Sequence, residues 1–264
     1  MKIMIIGASG YLGNTIYKKL KMCSNDDIYG TCCKSNNQNL LKIDLLNSID
    51  INKLLTYKPD VIIMSIYDFE KEMSLALIGI NEIVNRISQD TRLIYVSTTV
   101  GKGKQQVEQV SPHIRMPDEH LSKYINGKIK GESIVGKHSN HVIVRPGNIY
   151  GYDYDNQMDL RMEKLLQVSK TGETYSRTAN MYASFVHVQD LADAIIELTY
   201  SDFKGIINIS GERPVSHYDF NMSLANLLDI DNSFIIPDYN PNEMYHSLSN
   251  DKRKLIITAL IRDI

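Results

Sequence analysis

A tyrosine and a lysine four positions apart lie on one face of a helix. A lysine cation beside a phenol favours the phenolate. Such a pair makes tyrosine a usable proton carrier near neutral pH, where an ordinary phenol with a pKa of ~10 is a reluctant one. The spacing occurs four times here: Tyr17/Lys21, Tyr67/Lys71, Tyr124/Lys128 and Tyr200/Lys204. With 16 tyrosines in 264 residues, chance produces such matches, so the surroundings of each pair must choose between them.

The elements that would position these pairs alternate along the chain. "KIMIIG", "IYGTCC", "LLKID", "DVIIMS", "RLIYVST" and "HVIVRPG" have strand length and near-continuous apolar runs, as strands buried on both faces do. Helical stretches are expected between them over 11–22, 48–57 and 69–88, and around Tyr124. This βα alternation specifies a doubly wound parallel sheet of Rossmann type in the α/β class. The rhythm loosens after Ile149. We expect a dinucleotide-binding domain over 1–150 and a small C-terminal substrate-binding lobe over 151–264, partly interwoven with the core because no flexible linker separates them. In the long helix, Met73, Leu77, Ile80, Val84 and Ile87 form one stripe expected to face the sheet. Leu75 and Ile78, on the other side, suit either a covering loop or a partner helix in a homodimer.

Bulk properties exclude several functions. A net charge of −2 and a sequence pI of 6.4 offer no basic field for nucleic acid or an anionic membrane. The opening apolar run is too short to span a bilayer. Three cysteines, two of them adjacent (Cys32 and Cys33), make no disulfide framework and lack zinc-type spacing. We expect a cytoplasmic, reduced protein without a metal.

Gly7-Ala8-Ser9-Gly10-Tyr11-Leu12-Gly13 follows the first strand and opens the first helix. Glycines there permit a tight turn and close approach to a pyrophosphate, and the helix N-terminus offers free N–H groups to the anion. The second strand ends in Cys33, Lys34 and Ser35 rather than in an acid that would hold both ribose hydroxyls of NAD. A cation and a hydroxyl suit a 2′-phosphate, which favours NADP(H) over NAD(H), although Lys34 could equally be a solvated strand-end lysine.

Tyr124/Lys128 has a companion that the other pairs lack. "YVSTT" brings Ser97, Thr98 and Thr99 to the carboxyl edge of the sheet, where ligands bind in such folds. Tyr67, just after "DVIIMS", reaches the same edge and could line the pocket. Downstream, Lys128-Ile-Lys-Gly131-Glu132 resembles the K-x-x-G-E run of extended short-chain dehydrogenases/reductases. Arg145-Pro-Gly-Asn-Ile-Tyr-Gly151 and "FVHVQDLADAI" resemble that family's R-P-x-x-x-Y-G and F-x-H-V-x-D-L-A-x-A-I. The G-x-x-G-x-x-G spacing of the first turn also resembles this superfamily, and the likeness runs in order from Met1 to about Lys254. Within the family it is nearest to dTDP-4-dehydrorhamnose reductase-like nucleotide-sugar reductases.

The resemblance implies a Thr98–Tyr124–Lys128 centre. Thr98 would orient the substrate oxygen and Tyr124 would donate its proton. Lys128 would depress the phenol pKa and bind the nicotinamide ribose. It further implies cofactor contacts from Gly7, Ser9, Gly10, Tyr11, Leu12, Gly13, Lys34, Ser35, Asp44 at the adenine edge, Leu45 and Ser65. Substrate contacts fall to Tyr67, Thr99, Asn148 and Arg177. Arg161, Lys164, Lys170 and Arg177 could grip a diphosphate or could belong to a solvated surface. Three features depart from the family. "TTVGKGK" replaces the usual T-D-Y-V-F-type run; the Asp-Glu pair of dehydratases is missing after Thr98; and Ala76 stands near the usual helix asparagine. The implied activity is NADPH-dependent reduction of a keto group, a 4-keto-6-deoxy sugar nucleotide above all. The alternatives are an epimerase holding NAD and a non-catalytic dinucleotide-binding sensor. Gly127 and Gly131, each costing ~1 kcal/mol in a helix, are expected to allow close approach of that helix to the sheet or cofactor.

Overall fold

The computed structural model describes residues 1–35 and 37–264. The first part of the chain forms β1 (Lys2–Ile6), α1 (Tyr11–Cys23), β2 (Asp27–Cys32), β3 (Leu41–Lys42), α2 (Ser48–Leu55) and β4 (Val61–Met64). Next come α3 (Glu72–Ser74), a π-helical stretch Leu75–Ile80, α4 (Asn81–Arg86), β5 (Arg92–Val96) and β6 (Gly103–Gln106). After α5 (Ser122–Val135) the chain forms β7 (His141–Pro146) and β8 (Asn148–Tyr150). The remainder contains α6 (Leu160–Thr171), β9 (Tyr175–Thr178), β10 (Met181–Ala183), β11 (Phe185–His187), α7 (Val188–Tyr200), β12 (Gly205–Ile209) and β13 (Val215–Ser216). It closes with α8 (His217–Leu227), β14 (Ile235–Asp238), β15 (Met244–Leu248) and α9 (Asp251–Ile256).

Seven parallel strands form the main sheet in the order β12-β7-β5-β4-β1-β2-β3. The order reverses between β1 and β4, which opens a crevice at their carboxyl ends. Val61–Met64 and Arg92–Val96 are buried throughout, because helices cover both faces. One face packs Leu12, Ile16 and Leu20 of α1 against Leu191, Ile195 and Leu198 of α7. The other packs Ile51, Leu54, Ile80, Ile83, Ile134 and Val135. This is the doubly wound α/β sheet that the strand alternation specifies.

The two parts of the chain are interleaved. β12, from beyond residue 151, pairs with β7 in the main sheet, while β6 joins β15 in a four-stranded sheet ordered β13-β10-β15-β6. The departing "TTVGKGK" stretch thus runs into a strand that ties the first part of the chain to the later part. A third core, with Met162, Leu165, Phe185, Phe220 and Leu224, fills the lobe.

The helix expected over 69–88 is corrected in both start and register. It begins at Glu72, and its middle is π-helical. A wider turn rotates the following residues relative to an α-helical wheel. Ala76, Ile80, Ile83 and Val84 face inward, whereas Leu77 and Ile78 are exposed, as is Met73 ahead of the π-helical stretch. The strand expected over "LLKID" is only Leu41–Lys42, because Asp44 leaves the sheet to cap the turn before α2, its carboxylate accepting from the Leu46 N–H.

Candidate active site

The glycine turn closes at the switch point. Gly7 has φ +87°, a left-handed conformation that glycine adopts without Cβ strain, and its α-carbon lies against the Ser65 carbonyl at the end of β4. The Gly10 N–H donates to the Gly7 carbonyl at 3.0 Å, and a Cβ on Gly13 would meet Gly7 C at 2.8 Å. Gly7 and Gly13 are thus required by a turn and a backbone approach. No side chain caps α1, so the first-turn N–H groups stay open for an anion. The turn fits a pyrophosphate, and with it a nicotinamide dinucleotide. Leu12 is a core residue, and the Tyr11 hydroxyl donates to the Gly151 carbonyl at 2.6 Å. These two side chains are structural. Ser9 is exposed at the turn.

Lys34 is 82% exposed at the end of β2, and its ammonium lies 3.6 Å from the Asp68 carboxylate. The Ser35 carbonyl accepts from Cys32 Sγ. Lys71 acts on the Cys33 thiol together with Lys34, so two cations, Lys34 and Lys71, flank the strand end. Leu45 is buried in the core below Gly79.

Tyr124, Lys128 and the "YVSTT" edge are brought together. Tyr124 and Lys128 rise from α5, and the Lys128 ammonium lies 5.8 Å from the Tyr124 ring centroid. The Thr98 side chain lies near enough to the Tyr124 phenol to oppose the rise in its pKa. Thr99 turns away and donates to the Pro146 carbonyl at 3.2 Å. On the loop after β4, Tyr67 meets Tyr124 edge-on with centroids 5.1 Å apart, and Phe69 lies tilted to it at 5.9 Å. The rival tyrosines of two Tyr/Lys pairs therefore share one cluster, but Lys128 is buried beside Tyr124 while Tyr67 is 59% exposed. Tyr17 and Tyr200 lie elsewhere: the first has Lys21 over its ring, and the second donates to Asp26.

One residue of this centre has no sequence signal. Glu72, fully buried, places Oε1 at 2.9 Å from the Lys128 ammonium. Lys128 also donates to the Ile66 and Val96 carbonyls at 2.8 and 3.1 Å. Two of its N–H groups thus meet backbone carbonyls, while Glu72 Oε1 pairs with it in charge but has no hydrogen-bond partner. The expected lowering of the Tyr124 pKa is not found. Burial first, then the Glu72 carboxylate, hold the phenol above its ordinary value, and only Thr98 opposes them. The physical reason is burial of the phenol first, with the Glu72 carboxylate adding to it. Burial also lowers the Lys128 pKa, against the pull of Glu72.

The α5 glycines explain how the helix comes this close. A Cβ on Gly127 would lie 2.6 Å from Met73 N, and one on Gly131 would lie 2.7 Å from Cζ of Tyr95. The helix is regular across both. Other motif residues hold the frame. Glu132 accepts two hydrogen bonds from Arg145 and one from Ser97, linking α5, β7 and β5. Gly151 faces the His187 ring, whose Nδ1 caps α7, and Asp190 takes a bidentate pair from Arg262.

On the lobe side, Arg177 lies 3.7 Å over the Tyr175 ring, and its buried Nε has no hydrogen-bond partner. Burial, with Arg161 and Arg177, pushes the His217 pKa down to about 4. The Arg161 charge also acts on Tyr67, opposing the rise that burial gives its pKa. Lys164 and Lys170 are exposed on α6, so the four basic residues divide into an inward pair and a solvated pair. Asn148 is exposed on β8. Among the described residues, no group of three or more His, Cys, Asp or Glu could hold a metal ion, and no helix is long and apolar enough to cross a membrane.

Residues 3–210 match the family model for the NAD dependent epimerase/dehydratase family. No curated protein sequence matches the chain. Among solved structures, a dTDP-4-dehydrorhamnose reductase from Clostridium acetobutylicum is 22% identical with TM-score 0.79, over 100% of this chain and 95% of that one. A dTDP-4-dehydrorhamnose reductase from Bacillus anthracis, in complex with NADP, is 20% identical with TM-score 0.76, over 96% and 91%. UDP-glucuronic acid 4-epimerase from Bacillus cereus, in complex with UDP-glucuronic acid and NAD, is 18% identical with TM-score 0.76, over 100% and 95%. At these identities the likeness establishes a shared fold.

Proposed function

Because the chain belongs to the NAD dependent epimerase/dehydratase family, we propose that it is a nicotinamide-dependent oxidoreductase that reduces the keto group of a nucleotide-linked sugar, foremost a 4-keto-6-deoxy sugar. The observation that carries this reading is the Tyr124 phenol beside the Thr98 hydroxyl and Lys128, at the carboxyl edge next to an uncapped glycine turn. Gly7, Gly10 and Gly13 shape the turn, and the first-turn N–H groups of α1 bind the pyrophosphate. Lys34 and Lys71 favour a 2′-phosphate and hence NADP(H). The reduced nicotinamide supplies hydride to the carbonyl carbon. Thr98 orients the carbonyl oxygen, and Tyr124 gives it a proton as the C–O π bond breaks. The inward pair Arg161 and Arg177, with Tyr67 and Asn148 along the cleft, grips the nucleotide-linked side. Exposed Met73, Leu77 and Ile78 are the surface that a homodimer would use.

A second reading, an epimerase holding NAD, is supported by Asp68, which faces Lys34 and could accept from ribose hydroxyls. Purified protein mixed with NADPH or NADH and a panel of dTDP-, UDP- and GDP-linked 4-keto-6-deoxy sugars separates these readings. Loss of reduced-cofactor absorbance, faster with NADPH, is the expected result. Tight dinucleotide binding with no turnover on any keto sugar would instead sink the reductase reading and leave the epimerase or a non-catalytic sensor.

A further inference from the structure

Glu72 has no part in the proposed reaction, yet it is the most completely enclosed acid near the site. A buried carboxylate is costly unless it is paired and hydrogen-bonded. Glu72 is paired through Oε1, 2.9 Å from the Lys128 ammonium, and hydrogen-bonded only through Oε2, which accepts the Asp68 N–H at 3.1 Å; Oε1 itself has no hydrogen-bond partner. Gly127 makes room for it, since a Cβ there would lie 2.6 Å from Glu72 Cβ. An apolar pair of the same volume would fold at least as well, so packing alone does not explain the acid.

We propose that Glu72 is an internal counter-ion that cancels the Lys128 charge at Tyr124 and so keeps Tyr124 a neutral proton donor. This positioning role biases the site toward carbonyl reduction, which consumes a proton from the phenol. It disfavours chemistry that begins with tyrosinate as a base, such as the oxidation that opens an epimerisation. The bias rests on the oxidoreductase reading; the counter-ion role does not.

The charged and titratable groups around Tyr124 are few. Glu72 faces it from α3, Tyr67 from the loop after β4, Tyr95 from β5 and Lys128 from α5 itself. Lys128 faces Glu72, Glu132 and the Tyr95 ring, 5.0 Å from its centroid. Glu132 is engaged by Arg145 and Ser97. Glu72 is therefore the carboxylate left to balance Lys128.

The test is a pH titration of tyrosinate absorbance in the full chain without cofactor or substrate. Subtracting the same titration of Tyr124→Phe isolates the Tyr124 signal. The wild-type midpoint is expected above the ordinary phenol range. Glu72→Gln should lower it by about one pH unit or more, and Glu72→Asp, which keeps the charge, should restore most of the difference. A Glu72→Gln protein with native circular dichroism and an unmoved Tyr124 midpoint would overturn the proposal. If Glu72→Gln strands the buried lysine and does not fold, the double variant Glu72→Gln/Lys128→Met removes both charges. An unchanged or lower midpoint in that variant supports cancellation; a midpoint higher by about one pH unit shows that Lys128 dominates and overturns it. The titration needs no turnover, so its outcome is independent of the keto-sugar assay.

Discussion

Tyr124 and Tyr67 lie ring to ring, but their surroundings separate their roles. Tyr124 has Thr98 nearby and the buried Lys128 beside its ring, whereas Tyr67 is largely exposed. Tyr124→Phe is therefore expected to lower kcat on a productive keto sugar by about 10²–10⁴-fold, the usual contribution of a positioned proton donor. Dinucleotide affinity, read by fluorescence titration, should stay within about twofold, because the phenol makes no contact with the glycine turn. Tyr67→Phe should keep most of the activity. If the Tyr67 variant is the inactive one, the assignment of the proton donor is wrong.

At the scale of elements, α5 is set by what its glycines allow. Gly131 sits on the Tyr95 ring, and alanine there gains about 1 kcal/mol of helix propensity but must push against Cζ at 2.7 Å. Overpacking of this kind costs about 1–3 kcal/mol, so a net destabilisation of Gly131→Ala is expected in urea unfolding. Tyr95→Phe removes a buried hydroxyl that has no hydrogen-bond partner, and should be neutral or stabilising. In that background the Gly131→Ala penalty should shrink, with a coupling of about 1 kcal/mol. Additive penalties would mean that α5 rests on something other than this ring.

At the scale of the molecule, buried tyrosines govern the alkaline limit. Burial raises the pKa of Tyr11, Tyr95 and Tyr124, and pushes that of Tyr150 up to about 12. A group whose pKa is higher in the fold lends stability that is complete below the unfolded value, ~10 for tyrosine, and is lost as pH rises beyond it. Lys128, lowered in the fold, works in the opposite sense, gaining stability as pH rises toward the ordinary lysine value. Four tyrosines outweigh one lysine, so Tm should fall once pH passes about 10. The fall should be shallower in Tyr95→Phe, as scanning calorimetry from pH 8 to 11 would read. An equal slope in both proteins would remove Tyr95 from this balance. The strand exchanges of β6 and β12 predict that such melting is a single transition, since each part of the chain supplies a strand to the other's sheet.

The alternation of apolar strands with helical segments, the glycine turn and the Tyr124/Lys128 spacing are all local patterns, and each was readable along the chain. Glu132, Arg145, His187 and Asp190 were readable as motif words, but their purpose in a buried frame appears only when β5, β7, α5 and α7 meet. The π-helical stretch escaped a 3.6-residue wheel because a wider turn moves Leu77 outward without changing composition. Glu72 was invisible for a deeper reason. An acid in a charged run, "FEKEMS", reads as solvated surface, and its pairing with Lys128 exists only because Gly127 lets two helices touch. Which residues could do chemistry followed from their types and spacing. Whether the lysine's charge reaches the tyrosine depended on a neighbour distant in the chain, and long-range electrostatics of that kind are set by packing.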